Sequence, residues 1–311
     1  MNAENPARAY VKTAMMMRNT SALRTLAPES VTVAPAISHW LADVLDSDRL
    51  FTSRYPLILL PEYSAITVGR GTALDGHLAA IWRRSPQSPG LAPDSMMPVN
   101  GLALSEPDAT PVIAYWIAQH GLDTWLDRLV EVAVLPIWHL MAAHGIGLEA
   151  HGQNLILQHD NGWPTGLIAR DFHESLEYVL ELLSRPDLCP DLSRIDPIYK
   201  DAPPDKFHRM SRPEELRWLV MDTLFVFNLA DLSGLSDLLQ RRYGLAETAF
   251  WRRVRTRLDR YASEHGMQER QAAFAPFAPQ IRAESLISDK LEPDRPQHGH
   301  LIANALATDK G

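Results

Sequence analysis

Residues 144–172 read HGIGLEAHGQNLILQHDNGWPTGLIARDF and gather Glu149, His151, Gln153, Asn154, Arg170 and Asp171 in an otherwise apolar stretch. A carboxylate and an amide oxygen held side by side can bind a hard divalent cation such as Mg²⁺, which takes oxygen ligands. Two apolar runs, residues 155–157 and 165–169, flank Asp160-Asn161-Gly162. Asn-Gly between such runs signals a β-hairpin, because both residues tolerate positive φ. A hairpin closed there brings Asn154, at the start of one strand, near Asp171, at the end of the other. Glu149 and His151 lie just before the first strand and reach the same mouth. Upstream, Thr20, Ser21 and Arg24 follow the strand-like run 10–17. Hydroxyls and a guanidinium at a strand-to-loop junction suit a phosphate-like anion.

These groups need elements to hold them. Residues 34–45 place Ile37, Trp40, Leu41, Val44 and Leu45 at helical spacing, with Pro35 or Ser38 near the start. Residues 57–60 and 64–68, either side of Pro61-Glu62-Tyr63, read as two buried strands or one bent strand. Residues 77–84 (HLAAIWRR) read as a short helix with a basic end; Arg83 and Arg84 could face an anion, but a charged helix end is the favoured reading. Residues 112–143 form two amphipathic helices broken at His120-Gly121, the second kinked by Pro136. His139 and His144 read as satisfied helical histidines. After the hairpin, residues 173–183 read as a helix and 184–204 as a proline-rich loop. Helical spacing then recurs over 213–229, 235–243, 246–265, 269–274 and 281–290. Arg252, Arg253, Arg255, Arg257 and Arg260 wind around one of these helices as a solvated face. The fold class is α+β. A mixed or antiparallel sheet packs with helices in a nucleotide- and metal-binding lobe, residues 1–172. A helical lobe, residues 173–311, follows it, with the cleft between them.

Composition narrows the function. At 311 residues the chain can bury a sizeable core. A net charge of -8 argues against a nucleic-acid partner, since phosphate neutralisation needs clustered Lys and Arg. Cys189 stands alone, so there is no internal disulfide framework, which fits a reducing compartment. No apolar run is long enough for a membrane span and no signal peptide is apparent, so the cytoplasm is the expected location.

A helix, a loop with His151 and Asn154, then a hairpin returning with Asp171 is also the layout of small-molecule kinases. There, however, the position of Gln153 holds the catalytic Asp, and an amide cannot accept a hydroxyl proton. A kinase-like phosphotransferase is therefore disfavoured, although an ATP site of this shape is not.

The segments TSALRTL, LEAHGQN and ARDF, in that order, resemble the NRPS-independent siderophore synthetases, the aerobactin-synthetase-like family. The resemblance runs from about Lys12 to Leu306, nearly the whole chain, but corresponds only to the C-terminal half of that family. It implies an ATP- and Mg²⁺-dependent ligase that adenylates a carboxylate, often citrate, and joins it to an amine or hydroxyl. It implies that His151 and Gln153 contact nucleotide or acyl-adenylate, and that Glu149, Asn154 and Asp171 hold Mg²⁺. Thr20, Ser21 and Arg24 would grip phosphates, His151 and Arg24 would be the catalytic groups, and Arg170 would be a weaker carry-over. Homodimers are common in the family. The half-length match makes a separate N-terminal-half polypeptide an expected partner; the alternative is a non-catalytic remnant that binds nucleotide or a partner. The family's C-terminal region also resembles a ferric-siderophore reductase, but one cysteine cannot ligate an iron–sulfur cluster, so reduction is rejected.

Overall fold

The Asn161-Gly162 turn closes the hairpin expected from the sequence in the computed structural model, which describes residues 4–17, 23–88, 90–230, 234–284, 291 and 299–307. Asn161 and Gly162 have φ of 48° and 83°, the mirror-image turn whose twist matches that of the flanking strands. They join β7 (Leu155–Asp160) to β8 (Trp163–Ala169), with Leu155 opposite Ala169. This hairpin forms the middle of a four-stranded sheet, order β2-β8-β7-β5, completed by β2 (Leu57–Leu59) and β5 (Met96–Pro98). Strand β2 runs parallel to β8, so the sheet is mixed.

A second sheet has the order β1-β4-β3, all antiparallel, from β1 (Tyr10–Thr13), β4 (Leu78–Arg83) and β3 (Glu62–Val68). Residues 57–68 are thus two strands in two different sheets. Residues 77–84 are not the expected helix. Ala79, Ile81 and Arg83 are buried while Leu78 is exposed, a period of two that a strand between two partners satisfies. One face of this sheet packs on α1 (Pro28–Asp46), where Val31 and Ala34 meet Ala79 and Ile81. Helix α1 starts earlier than the spacing suggested, with Pro28 in its first turn, and keeps Pro35 inside. Fully buried Val31, Val33, Ala34 and Ile37 offset the hydrogen bond Pro35 cannot donate. After the short α2 (Leu50–Ser53), the chain passes through β2 to β5 into three helices.

These are α3 (Ala114–His120), α4 (Leu122–Ala133) and α5 (Leu135–His144). The break expected at His120-Gly121 is present, and Pro136 opens a new helix rather than kinking an old one. Beyond the hairpin, residues 173–183 are not a helix. Strand β9 (Leu176–Tyr178) pairs with β6 (Ile146–Leu148), burying Leu176 and Tyr178 on either side of Glu177. Helices α6 (Pro213–Val220), α7 (Leu235–Tyr243), α8 (Glu247–His265) and α9 (Gln268–Phe274) follow, with a π-helical segment, Met221–Ala230, after α6. A closing pair, β10 (Gln280–Glu284) with β11 (Gly299–Ala303), takes the place of the helix read over 281–290; residues 285–290 lie outside the described residues. The second half is therefore mainly helical with added strands.

Side chains from both sides of residue 172 share one core, which joins Trp138 and Leu140 to Leu216, Val220, Phe250 and Leu258. The arginines of α8 are more than a solvated face, since Arg253 bridges to Asp123 and Asp127 of α4 and Arg257 to Asp127. Among the described residues, no helix is long and apolar enough to cross a membrane.

Candidate functional site

Asp171 stands just beyond β8 with φ of 63°, a left-handed conformation that costs a non-glycine residue about 1 kcal/mol. That backbone turn aims its carboxylate back at the three-stranded sheet. Arg83 of β4 places Nη1 2.6 Å from Asp171 Oδ1, and Lys12 of β1 places Nζ 3.4 Å from the same oxygen. Arg170 Nε lies 3.8 Å from Oδ2. Burial pushes the Asp171 carboxyl up, but the Lys12 and Arg83 charges outweigh it and hold the group below the usual carboxylate range. Asp171 is an anion surrounded by three cations.

Glu62, at the start of β3, closes the other side and is fully buried. Its Oε2 accepts the backbone N–H groups of Phe172 and His173, at 3.2 and 3.0 Å, and its Oε1 lies 2.9 Å from His173 Nδ1. A carboxylate can only accept, so His173 carries its proton on Nδ1 and leaves Nε2 as an acceptor. Lys12 Nζ, 3.3 Å away, donates to it. Lys12 thus joins His173 to Asp171. Glu62, Asp171 and His173 each offer a ligand atom within 4.8 Å of the others.

At the opposite strand of the hairpin, Asn154 donates from Nδ2 to the Glu149 carbonyl at 3.1 Å and to Glu149 Oε2 at 3.4 Å. His151 Nε2 lies 3.8 Å from Glu149 Oε1. The Gln153 N–H donates to His151 Nδ1, so the neutral ring carries its proton on Nε2. Burial lowers the His151 pKa, and the nearby Arg170 and Arg24 charges push it the same way, against the pull of its backbone hydrogen bond and of Asp171. Arg170 connects the two strand ends. Its N–H donates to the Asn154 carbonyl at 3.1 Å, and its guanidinium grips the Gln153 carbonyl at 2.9 and 2.6 Å while facing Asp171. Arg24 is exposed and within electrostatic reach of His151. Thr20 and Ser21 lie outside the described residues. The structure therefore brings Glu149, His151, Gln153, Asn154, Arg170 and Asp171 to one mouth, with Arg24 within electrostatic reach of His151.

Sequence reading missed Lys12, Glu62 and His173, and it ranked an anion-facing Arg83 below a charged helix end. Arg83 was hidden by the helical reading of 77–84; the alternation Ala79, Ile81, Arg83 was the available signal. Lys12 and Glu62 occupy strands that carry no motif of their own. His173 follows the ARDF segment directly, and only its burial against Glu62 gives it a role.

Two family models match the chain. Residues 123–297 match the family described as ferric iron reductase FhuF-like transporter, and residues 1–104 match the IucA/IucC family. The citryl-spermidine/3,4-dihydroxybenzoyl-citryl-spermidine:spermidine ligase of Bacillus anthracis is 36% identical over 98% of this chain, which covers 50% of that protein. The crystal structure of the petrobactin biosynthesis protein AsbB from B. anthracis superposes with a TM-score of 0.92 at 36% identity, covering 98% of this chain and 51% of that one. The aerobactin synthetase IucC of Klebsiella pneumoniae superposes with a TM-score of 0.78 at 26% identity, covering 98% and 52%. The chain spans about half the length of the curated relatives it matches.

Proposed function

Since the chain belongs to the FhuF-like family over residues 123–297 and to the IucA/IucC siderophore synthetases over residues 1–104, we propose that it is the ATP- and Mg²⁺-binding half of a carboxylate–amine ligase. The proposed reaction adenylates a citrate-like carboxylate and condenses it with an amine or hydroxyl, in the cytoplasm. The observation that carries this reading is the convergence of Lys12, Arg83 and Arg170 on Asp171 at the mouth of the hairpin.

That cation excess suits a polyphosphate, whose charge grows at the α-phosphate as pyrophosphate departs. The oxygen donors Asp171, Asn154 and Glu149 suit Mg²⁺; bound there, the ion would neutralise phosphate charge and polarise the reacting phosphoryl group. Arg83 and Lys12 screen Asp171 and are placed to turn from it toward phosphate oxygens. Neutral His151 offers its Nε2–H as a donor to a phosphate or carboxylate oxygen. In the first half-reaction a substrate carboxylate oxygen bonds to the α-phosphorus and the bond to pyrophosphate breaks. In the second, the nucleophile attacks the acyl carbon, AMP leaves, and the nucleophile loses a proton. Proximity supplies most of this second step. The single Cys189 gives these residues no means to ligate an iron–sulfur cluster.

The test is ATP–pyrophosphate exchange with citrate and Mg²⁺, on this chain alone and with a supplied N-terminal half. Exchange in either format that falls at least about a hundredfold in Asp171→Asn supports the reading. Exchange unchanged in that variant removes Asp171 from the site. No exchange with citrate or any related acid, in either format, overturns adenylation.

A further inference from the structure

Three residues outside the hairpin mouth bring metal-ligand atoms together. Asp48 lies between α1 and α2, and His139 and His144 belong to α5. His139 Nε2 stands 2.9 Å from Asp48 Oδ2, and His144 Nε2 stands 3.0 Å from the same oxygen. The three residues offer ligand atoms that all lie within 4.8 Å of one another. Donors bound to one Zn²⁺ at about 2.0–2.2 Å each stand roughly 3 Å apart, so an ion can enter with little movement.

The surroundings hold these atoms in the ligating sense. Leu50 donates its N–H to Asp48 Oδ1 at 2.9 Å, which fixes the carboxylate and leaves Oδ2 for the histidines. Tyr261 Oη lies 2.7 Å from His139 Nδ1, and Ser184 Oγ lies 2.6 Å from His144 Nδ1. A hydroxyl can donate or accept. Without metal, each Nε2–H donates to Asp48. With the ring protons on Nδ1 instead, donated to the hydroxyls, both Nε2 lone pairs are released to a cation. Outer hydrogen bonds of this kind orient metal-ligating histidines. Phe51, Tyr55 and Tyr261 surround the His139 ring at centroid distances of 5.0, 5.5 and 5.7 Å, and both histidines are buried. Asp48 keeps 24% of its side chain exposed, which leaves an entry path. Arg270, within electrostatic reach of His144, is turned onto the Leu182 carbonyl at 2.9 Å.

Two imidazoles and one carboxylate select the ion. Imidazole nitrogen suits Zn²⁺ and its first-row neighbours, whereas Mg²⁺ prefers oxygen ligands such as those at the hairpin mouth. We infer that Asp48, His139 and His144 form a site for a divalent transition-metal ion, separate from that mouth. The ion staples the α1–α2 junction to the end of α5, directly ahead of β6 and the segment that carries Glu149 and His151. The inference does not depend on adenylation.

The test uses the full chain, stripped with a chelator and titrated with ZnCl₂ at neutral pH in excess Mg²⁺. Calorimetry should give one site whose occupation raises the thermal unfolding midpoint, since the ion binds the folded chain. His144→Gln, checked for folding by circular dichroism, should lose at least about a hundredfold in Zn²⁺ affinity, and Ser184→Ala about tenfold. Asp171→Asn, at the hairpin mouth, should leave that affinity unchanged. X-ray absorption at the zinc edge should show two imidazole nitrogens on the bound ion. The inference is overturned if the folded chain takes up no Zn²⁺, or if the zinc edge shows fewer than two imidazoles. It is also overturned if folded His144→Gln and Ser184→Ala bind as tightly as the parent, or if Asp171→Asn abolishes binding. Should His144→Gln fail to fold, the Ser184→Ala titration and the zinc edge decide by themselves.

Discussion

Arg83 and Asp171 meet through Nη1 and Oδ1 at 2.6 Å, joining the central strand of one sheet to the exit of the hairpin that centres the other. Both side chains are largely buried, at 11% and 21% exposure, so the pair is only weakly screened. Arg83→Ala leaves Asp171 with Lys12 and Arg170 as its remaining cations and is expected to cost about 2 kcal/mol of stability. Urea unfolding measures this directly. The same change should weaken ATP binding by about tenfold or more by calorimetry. Unaltered ATP affinity would confine Arg83 to a structural role.

Glu62 supports the site from underneath. Its two oxygens accept three N–H groups, from Phe172 and twice from His173. Glu62→Gln removes the charge and turns a donor toward those donors, so a loss of about 2–3 kcal/mol is expected. It should also free His173 to protonate on Nε2, which NMR of the ring nitrogens would detect. A parent ring protonated on Nε2 instead of Nδ1 would contradict the tautomer that the Glu62 contact fixes.

The hairpin turn leaves no room for a side chain. A Cβ on Gly162 would stand 2.1 Å from the Trp116 ring, and the backbone there has φ of 83°. The turn is tied to its neighbours as well, since Trp125 Nε1 donates to the Gly162 carbonyl at 2.9 Å. Gly162→Ala should cost about 3 kcal/mol through clash and positive φ together. Asn161→Gly should change stability by less than about 0.5 kcal/mol. Comparing the two in thermal unfolding separates steric from conformational cost.

Acid should loosen the fold before its carboxylates protonate. Asp48 Oδ2 accepts from His139 Nε2 at 2.9 Å and from His144 Nε2 at 3.0 Å, while Tyr261 and Ser184 partner the other ring nitrogens. Burial pushes His139 down to about 4, more than the Asp48 hydrogen bond pulls it back, and burial lowers His144 and His208 too. A folded pKa below the unfolded value means the unfolded chain binds the extra proton. This stability is complete above about pH 6.5 and is lost as pH falls toward 4. His139 alone contributes about 3 kcal/mol. Urea midpoints measured between pH 7.5 and 4.5 should fall steadily. A flat profile would contradict neutral buried histidines.

The sequence by itself determined what depends on neighbours in the chain. Asn161-Gly162 specified the turn, because positive φ is a local property, and the turn then brought residues 154 and 170 side by side at the open end of the paired strands. The order of TSALRTL, LEAHGQN and ARDF carried the family resemblance, which the family matches bear out. Helical spacing located α4 to α9 to within a few residues, though not the break at Val134. Tertiary structure decided the rest. Residues 78–83 and 176–178 became strands because β1, β3 and β6 offered ladder partners, and backbone pairing with distant strands leaves little trace in a short local pattern. The same pairings brought Lys12, Glu62 and Arg83 to Asp171 from strands with no motif to announce them. A charged residue is legible as part of a site only once the fold shows which opposite charge it was buried to meet.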